Sequence, residues 1–257
     1  MKCEAAAQAE NLIRGAGTTL AEWQASPSLA CVPTLTHQQL IPTGHRLIVI
    51  APHPDDEILG CAGILAGMRG READVVMLAV TDGDASHPRS QQWTPSRLRQ
   101  QRPLESLHAL DCLGLDASAL DWQRLGLPDS AVAGQEDQLV KRLLEVVRPG
   151  DRLISTWRLD GHCDHEATGR AAACAALQLN ACLIEVPIWA WHWARPNDPR
   201  IPWRRARKLM LDAPLLAQKR RAINAHVSQV TADGQTPAVL DQHTIERLLQ
   251  PFELVFL

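Results

Sequence analysis

The chain has 257 residues, enough for one α/β domain with a buried core. Its net charge of -3 argues against a general nucleic-acid-binding protein, and no apolar run approaches the ~20 residues of a membrane span. Eight Trp and two Phe are accompanied by no Tyr, which excludes any mechanism that needs a tyrosine hydroxyl.

The first residues and the cysteines bear on the cellular compartment. Glu4 and Glu10 occupy the stretch where a signal peptide would need an apolar centre, so no export signal is predicted. The seven cysteines include no C-x-x-C pair, which favours neither a disulfide framework nor a cysteine zinc knuckle. We therefore expect a cytoplasmic protein.

Taken in chain order, the predicted elements begin with a helical stretch at 1–25 and a connection at 26–45. Continuous apolar runs predict buried strands at 45–52, 73–83, 151–157 and 181–189, with 252–256 as an edge strand. Amphipathic patterns predict helices at 57–70, 96–114, 135–148, 165–179 and 215–229. The alternation predicts a Rossmann-like three-layer α/β sandwich with a mostly parallel sheet, preceded by an N-terminal helical extension at 1–44 packed on a domain at 45–257.

A dense polar motif, PHPDDE at 52–57, directly follows the first strand. His53 and Asp56, three residues apart in a turn, can both reach one ion, and catalytic zinc typically takes three ligands from His and carboxylate. Asp55 could then lie over the open position and accept a proton from a metal-bound water. The alternative is an acidic helix N-terminus that complements the helix dipole.

A second motif, GHCDH at 161–165, follows the third strand. His165 and His162 could supply the third metal ligand and a second imidazole that does not bind the metal. A surface loop is the alternative for such a turn on its own. Because the carboxyl ends of parallel strands meet at one rim of the sheet, this motif, the first motif and TDGD at 81–84 should converge on one site.

The paired motifs resemble those of the PIG-L/LmbE-type zinc-dependent N-deacetylases. That family has an A-H-P-D-D-E type motif after its first strand and an H-x-D-H motif later in the chain. Supporting fragments lie at 81–84, 102–105, 113–114, 125–129 and 219–229, so the resemblance extends from about residue 45 to residue 257.

The resemblance implies a Zn²⁺ cofactor and a role for each matching position. His53, Asp56 and His165 match the zinc ligands, and Asp55 matches the general base. His162 would stabilise the tetrahedral intermediate or protonate the leaving amine. Asp164 would orient His162 or His165 through a hydrogen bond.

Several residues are candidates for substrate contact. Trp189, Trp191 and Trp193 follow the fourth strand and would share one face if that strand continues, as a platform for a sugar ring or, alternatively, as core packing. Arg102 matches a basic position of the family, although as a helix residue followed by Pro103 it could equally be structural, and Asp84 lies in the loop after the second strand. The Arg-rich stretch at 195–208 would contact an anionic or lipid-linked substrate, or form a solvated loop.

These observations predict a hydrolase that removes an N-acetyl or short N-acyl group from an amino sugar, such as an N-acetylglucosamine conjugate. An amidase that cleaves a larger acyl group is the nearest alternative. A non-catalytic sugar- or nucleotide-binding module is less consistent with Asp55, since a binding protein needs no base beside a metal. The first turn lacks G-x-G-x-x-G, which argues against a dinucleotide-dependent oxidoreductase.

Overall fold

The computed structural model describes Ile13 and residues 15–257. Its eight strands are β1 (Thr34–Leu35), β2 (Leu47–Ala51), β3 (Val75–Thr81), β4 (Asp121–Leu127), β5 (Arg152–Thr156), β6 (Cys182–Val186), β7 (Ala206–Met210) and β8 (Phe252–Phe256). They form one sheet in the order β1-β7-β8-β6-β5-β2-β3-β4. All neighbouring pairs are parallel except those that β8 makes with β6 and β7.

Eleven α-helices connect or cover these strands within the described residues. They are α1 (Leu20–Gln24), α2 (Pro27–Ala30), α3 (His37–Leu40), α4 (Asp56–Ala66), α5 (Pro95–Cys112), α6 (Glu136–Val146), α7 (Cys163–Leu179), α8 (Ala190–Trp193), α9 (Ala213–Ala225), α10 (Val227–Val230) and α11 (Gln242–Leu248). Across the part of the chain that the structure describes, no helix combines the length and apolarity that crossing a membrane requires.

The central strands are buried on both faces, which explains their continuous apolar sequences. In β2, Val49 belongs to a core cluster that includes residues of α4, α5 and α9, whereas Ile50 belongs to a second cluster with α6 and α7. Successive side chains of a strand point to opposite faces, so a strand between two helical layers must be apolar throughout. The predicted three-layer α/β fold is confirmed.

The sequence prediction is wrong about β8 and misses β1, β4 and β7. The strand at 252–256 was expected at an edge, but it pairs with β7 along its length and with β6 at one position. β1 and β4 occupy the two edges, and β4, whose residues are mostly exposed or half-buried, lacks the apolar run that marks a buried strand. Its pairing with β3 defines it instead.

The N-terminal part of the chain is less helical than the sequence suggested. Among the described residues before 26, only α1 is an α-helix, and the predicted helix over residues 1–12 and 14 lies outside the described residues. The predicted connection contains α2, α3 and β1. Thr34 and Leu35 of β1 extend the sheet by pairing with Lys208 and Leu209 of β7.

Helix α4, which starts at the first polar motif, is interrupted at Cys61 (φ -146°, ψ 29°). The carboxylate of Glu253 in β8 accepts hydrogen bonds from the backbone N–H of Gly63 (2.7 Å) and Ile64 (3.1 Å), so it caps the second half of the helix. Lys219 of α9 donates to the same carboxylate at 2.9 Å. Both charged groups are buried, and the pair fixes α4 against the sheet.

Candidate metal centre

A cavity of about 240 Å³ lies at the carboxyl ends of the parallel strands. Its lining comes from the segments after β2, β3, β4, β5 and β6 and from α5 and α10, and it includes His53, Asp55, Asp56, Ser86, Arg102, Asp129, His162, His165, Trp189 and Gln229. The predicted convergence of polar loops on one rim is therefore present. A more open groove of about 680 Å³ beside β7 contains none of the clusters of metal-ligating side chains found among the described residues.

The turn before α4 brings His53 and Asp56 together. One oxygen of Asp56, Oδ2, lies 3.1 Å from Nδ1 of His53 and 3.3 Å from Nε2 of His165. Asp55 between them has φ +150°, a conformation that residues with a side chain rarely adopt. Its N–H donates to Glu57 Oε2 at 2.9 Å, which helps to hold the turn.

The donor atoms fit a metal ion. Nε2 of His165 is buried and makes no well-aligned hydrogen bond, since its contact with Asp56 Oδ2 at 3.3 Å has poor geometry, and such an atom is costly unless another group satisfies it. Ligand atoms of His53, His162 and His165 all lie within 4.8 Å of one another. Atoms bound at about 2 Å around a tetrahedral zinc ion are separated by ~3.3 Å, so a small adjustment would bring two imidazoles and Asp56 onto one ion.

The other nitrogen of each proposed imidazole ligand faces a carboxylate. Nδ1 of His165 lies 2.8 Å from Asp160 Oδ2. Nε2 of His53 lies 3.2 Å from Asp164 Oδ2 and 3.4 Å from Asp129 Oδ1. Such carboxylates fix the ring orientation and tautomer of a metal-bound histidine.

This arrangement differs from the sequence prediction for Asp164. Its carboxylate contacts His53 rather than His162 or His165, and it also accepts from the N–H of Ser130 (2.7 Å) and Val132 (3.0 Å). The residue that contacts His165 is Asp160, which sequence reasoning missed. Asp129 received no role either, because the strand before it was not predicted. Both Asp129 and Asp160 are acidic residues that closely follow a parallel strand, β4 and β5 respectively, and this position in the sequence is the signal that could have identified them.

His162 occupies the N-cap position of α7, beside both other imidazoles. Its ring lies edge-on to that of His53, with centroids 4.9 Å apart. Nδ1 accepts a hydrogen bond from the N–H of Asp164 at 3.3 Å, so the neutral ring carries its proton on Nε2. Burial, aided by the neighbouring imidazoles, lowers the pKa of His162 to about 3, which favours the neutral form.

Arg102 lies in the wall of the cavity and holds Asp55. Its guanidinium donates to Asp55 Oδ2 at 3.1 Å and to the carbonyl oxygens of Pro54 and Gly83, both at 2.8 Å. Gly83 has φ +64°, and a Cβ there would lie 1.9 Å from Arg102 Nη1, so only glycine allows this approach. Burial raises the pKa of Asp55 to about 7, against the opposing charge of Arg102.

Buried acids raise the pKa of His165, in contrast to the lowered pKa of His162. Burial alone would lower the pKa of this imidazole, but the charges of Asp56 and Asp160 and their hydrogen bonds raise it to about 9. The cluster of acids therefore makes the cavity strongly attractive to a cation.

The three clustered tryptophans do not share one face as predicted. β6 ends at Val186, and residues 190–193 form α8, in which successive residues turn by about 100° instead of alternating. Trp189 lines the cavity, but Trp191 is buried against Trp23 with ring centroids 5.0 Å apart. Trp193 stacks on Trp157 with centroids 6.2 Å apart. The expectation of a substrate contact at Trp191 is thus not supported by its position.

Other predicted contacts also lie away from the cavity. Asp84 pairs with Arg99 at 3.2 Å and is outside the cavity lining, although Ala85 and Ser86 belong to it. In the Arg-rich stretch, Arg200 binds Asp198 and Arg205 binds Glu185, at 2.7 and 2.8 Å. These two arginines are thus engaged within the chain.

Comparisons with known proteins identify the family of the chain and agree with its fold. The family model PIG-L: GlcNAc-PI de-N-acetylase matches residues 48–176. A probable N-acetyl-alpha-D-glucosaminyl L-malate deacetylase 2 of Bacillus subtilis (strain 168) is 29% identical over 133 residues, which cover 49% of this chain and 58% of that protein. A 1D-myo-inositol 2-acetamido-2-deoxy-alpha-D-glucopyranoside deacetylase of Rhodococcus jostii (strain RHA1) is 25% identical over 240 residues, covering 72% of this chain and 82% of that protein.

A solved structure of a deacetylase in the teicoplanin biosynthesis pathway supports the fold alone, because only 18% of its residues are identical to this chain. It has a TM-score of 0.62 and covers 82% of this chain and 96% of its own. The family model, by contrast, spans half of the chain and includes most of β2, the PHPDDE turn and most of α7 with His165. The chain therefore belongs to the PIG-L family of de-N-acetylases.

Proposed function

We propose that this protein is a zinc-dependent hydrolase that removes the N-acetyl group from an N-acetylglucosamine-containing substrate. The observation that carries the proposal is the convergence of His53, Asp56 and His165, with Nε2 of His165 lacking any other partner and Asp55 directly beside them. The names of the Bacillus and Rhodococcus relatives support the choice of an N-acetylated amino sugar.

His53, Asp56 and His165 would hold the ion. When bound, zinc acidifies water and polarises a carbonyl group, which is the chemistry that amide hydrolysis needs. Asp55 then accepts the proton of the water that attacks the amide carbon. Arg102 keeps the Asp55 carboxylate in place through the contact at 3.1 Å, and Asp55 afterwards returns the proton to the departing amine.

His162 would stabilise the negative charge that develops on the amide oxygen. Its Nδ1 accepts a hydrogen bond from the N–H of Asp164, so Nε2 is the donor that remains for the substrate. Trp189 would present its indole to the sugar ring from the cavity wall. The products are acetate and a free amino sugar.

The test compares acetate release by zinc-loaded wild type and Asp55→Asn on a panel of N-acetylglucosamine conjugates. We expect Asp55→Asn to keep its zinc and to lose about 10²–10⁴-fold in rate, the usual contribution of a general base. Asp116→Asn is the matched control. It changes an exposed carboxylate that does not line the cavity, and it should retain the wild-type rate.

Each part of the proposal can fail separately. A wild type that binds no zinc would refute the metal centre. Bound zinc without acetate release from any conjugate would refute the substrate class, and release of a longer acid from N-acyl analogues would indicate the larger-acyl amidase. An Asp55→Asn variant with zinc bound and full activity would refute the base.

A further inference from the structure

A short segment that precedes β2 in the chain packs against the turn that carries Trp189. We call residues 16–24 the N-terminal strap and residues 188–194 the Trp189 turn. Three strap hydrogen bonds reach carbonyl oxygens of this turn. Trp23 Nε1 donates to Trp191 O at 2.8 Å, Thr18 N donates to His192 O at 2.8 Å, and Thr18 Oγ1 donates to Ala194 O at 2.5 Å.

The strap and the turn also approach each other more closely than ordinary side chains would allow. Gly17 has φ +65°, and a Cβ there would lie 2.7 Å from Nδ1 of His192. Arg247 of α11 donates to Ala16 O at 3.0 Å and to Thr18 O at 3.2 Å, and it also lies 3.0 Å from His192 Nδ1. Strap, turn and α11 are thus joined by polar contacts that are largely buried.

The Trp189 turn also forms hydrogen bonds with Asp160, which contacts a proposed metal ligand. The carboxylate of Asp160 accepts from the N–H groups of Ile188 (2.9 Å), Trp189 (2.9 Å) and Ala190 (3.0 Å). The same carboxylate lies 2.8 Å from Nδ1 of His165. The turn therefore lies between the strap and His165, and its Trp189 side chain forms part of the cavity wall.

We infer that the N-terminal strap is a positioning element of the active site. Its hydrogen bonds fix the backbone of the Trp189 turn. Trp189 then stays in the cavity wall, and the backbone N–H groups of residues 188–190 stay within hydrogen-bond distance of Asp160. Thr18 and Trp23 act through the turn and are positioning residues, not catalytic ones. The consequence for substrate binding rests on the proposed function, whereas the mechanical role of the strap does not.

The mechanical role is tested by hydrogen exchange of the backbone amides of residues 188–190. Thr18→Val and Trp23→Phe each remove one strap hydrogen bond while preserving side-chain size or aromatic character. We expect about fivefold faster exchange in each variant, the effect of losing one net hydrogen bond, and a larger increase in the double variant. Thr18→Ser keeps the hydroxyl and should exchange like the wild type.

The matched control is Thr36→Val, the same substitution at an exposed helix cap of α3 that does not contact the turn. It should leave exchange at residues 188–190 unchanged. Wild-type exchange in a folded double variant would overturn the inference, and so would equal acceleration in the Thr36→Val control. This measurement requires neither metal nor substrate.

The catalytic consequence is tested by the steady-state kinetics of acetate release. With zinc kept saturating, we expect the double variant to raise KM about tenfold while kcat stays within about twofold, because the strap acts on the substrate-facing wall and not on Asp55. Faster exchange with an unchanged KM would overturn the positioning role. If the wild type releases no acetate, the proposed function fails, and the exchange result still decides the mechanical claim.

Discussion

Asp160 illustrates how much one buried carboxylate can organise. Its two oxygens accept three backbone N–H groups and face one imidazole nitrogen, and the residue is fully buried. Hydrogen bonds to an ionised acceptor are about twice as strong as neutral ones, and a buried acid that lost them would be costly. The residue therefore ties the loop after β5 to the turn after β6.

Replacing this carboxylate should weaken metal binding. We predict that Asp160→Asn lowers zinc affinity about 10–100-fold, since a carboxamide cannot both accept all three amides and accept from His165 Nδ1. Zinc dissociation constants from chelator competition provide the measurement. Asp212→Asn at the start of α9 is the matched control and should bind zinc as the wild type does. Equal affinities in both variants would contradict the assigned role.

At the scale of elements, α7 places His165 by packing tightly on β5. Gly169 lies one helical turn after His165, on the same side of the helix. A Cβ at this position would lie 2.7 Å from the carbonyl oxygen of Thr156 and 2.8 Å from the backbone of Arg158. The close approach of helix and strand therefore depends on glycine.

We predict that Gly169→Ala destabilises the protein by about 1–3 kcal/mol, the typical cost of overpacking, and weakens zinc binding because it moves α7 away from β5. Chemical denaturation and chelator competition measure the two effects. Gly134→Ala is the matched control, because a Cβ there meets no atom within 4 Å. A Gly169→Ala variant with wild-type stability would contradict the requirement for glycine, because it would show that α7 can move away from β5 at no cost.

The sequence predicted correctly those strands and site residues that a local pattern identifies. β2, β3 and β5 are continuous apolar runs, and His53, Asp56 and His165 occur in short motifs after two of them, so their convergence followed from the topology of parallel sheets. β4 could not be predicted in this way, because it is defined by pairing with β3 and not by burial of its own side chains.

The remaining errors depend on three-dimensional context. The alternating tryptophans after β6 are compatible with a strand, and only the amides bound by Asp160 reveal that the chain turns there into α8. The role of Asp160 could not be read from sequence, since its four partners lie in two separate segments. The hydrogen bond from Trp23 to Trp191 likewise could not be predicted, because the two residues are far apart in the sequence.

For the whole molecule, a buried ion cluster links the middle of the sheet to its far half. Glu185 of β6 is fully buried and accepts from Arg158 at 2.7 Å and from Arg205 at 2.8 Å. Burial alone would raise the pKa of Glu185, but these two arginines hold it below its usual value. The carboxylate therefore stabilises the folded state while it is ionised.

This cluster predicts a pH dependence of stability. Because the pKa of Glu185 is lowered on folding, its contribution is complete above its unfolded pKa of about 4.3 and is lost as the pH falls through the lower folded pKa. We expect Glu185→Gln to cost about 1–2 kcal/mol at pH 7, since both arginines remain partly solvated, and to cost progressively less below about pH 4.

Urea unfolding of wild type and Glu185→Gln between pH 3 and pH 8 measures this difference. Glu136→Gln removes a partly exposed ion pair with Arg170 and serves as the matched control, with an expected cost of ~0.5 kcal/mol or less. A cost for Glu185→Gln that stayed constant down to pH 3 would contradict the assignment to ionised Glu185.

The position of β8 has a consequence for the order in which the molecule assembles. The residues of the candidate metal centre all follow strands β2 to β6, and these strands pair with one another without β8. β1 pairs with β7, and β7 is joined to β6 through β8, so Thr34 and Leu35 cannot join the sheet until residues 252–256 arrive. A strand made early on the ribosome can thus join the central strands only after β8 is in place, and until then the edge of β6 remains open to pairing with other chains.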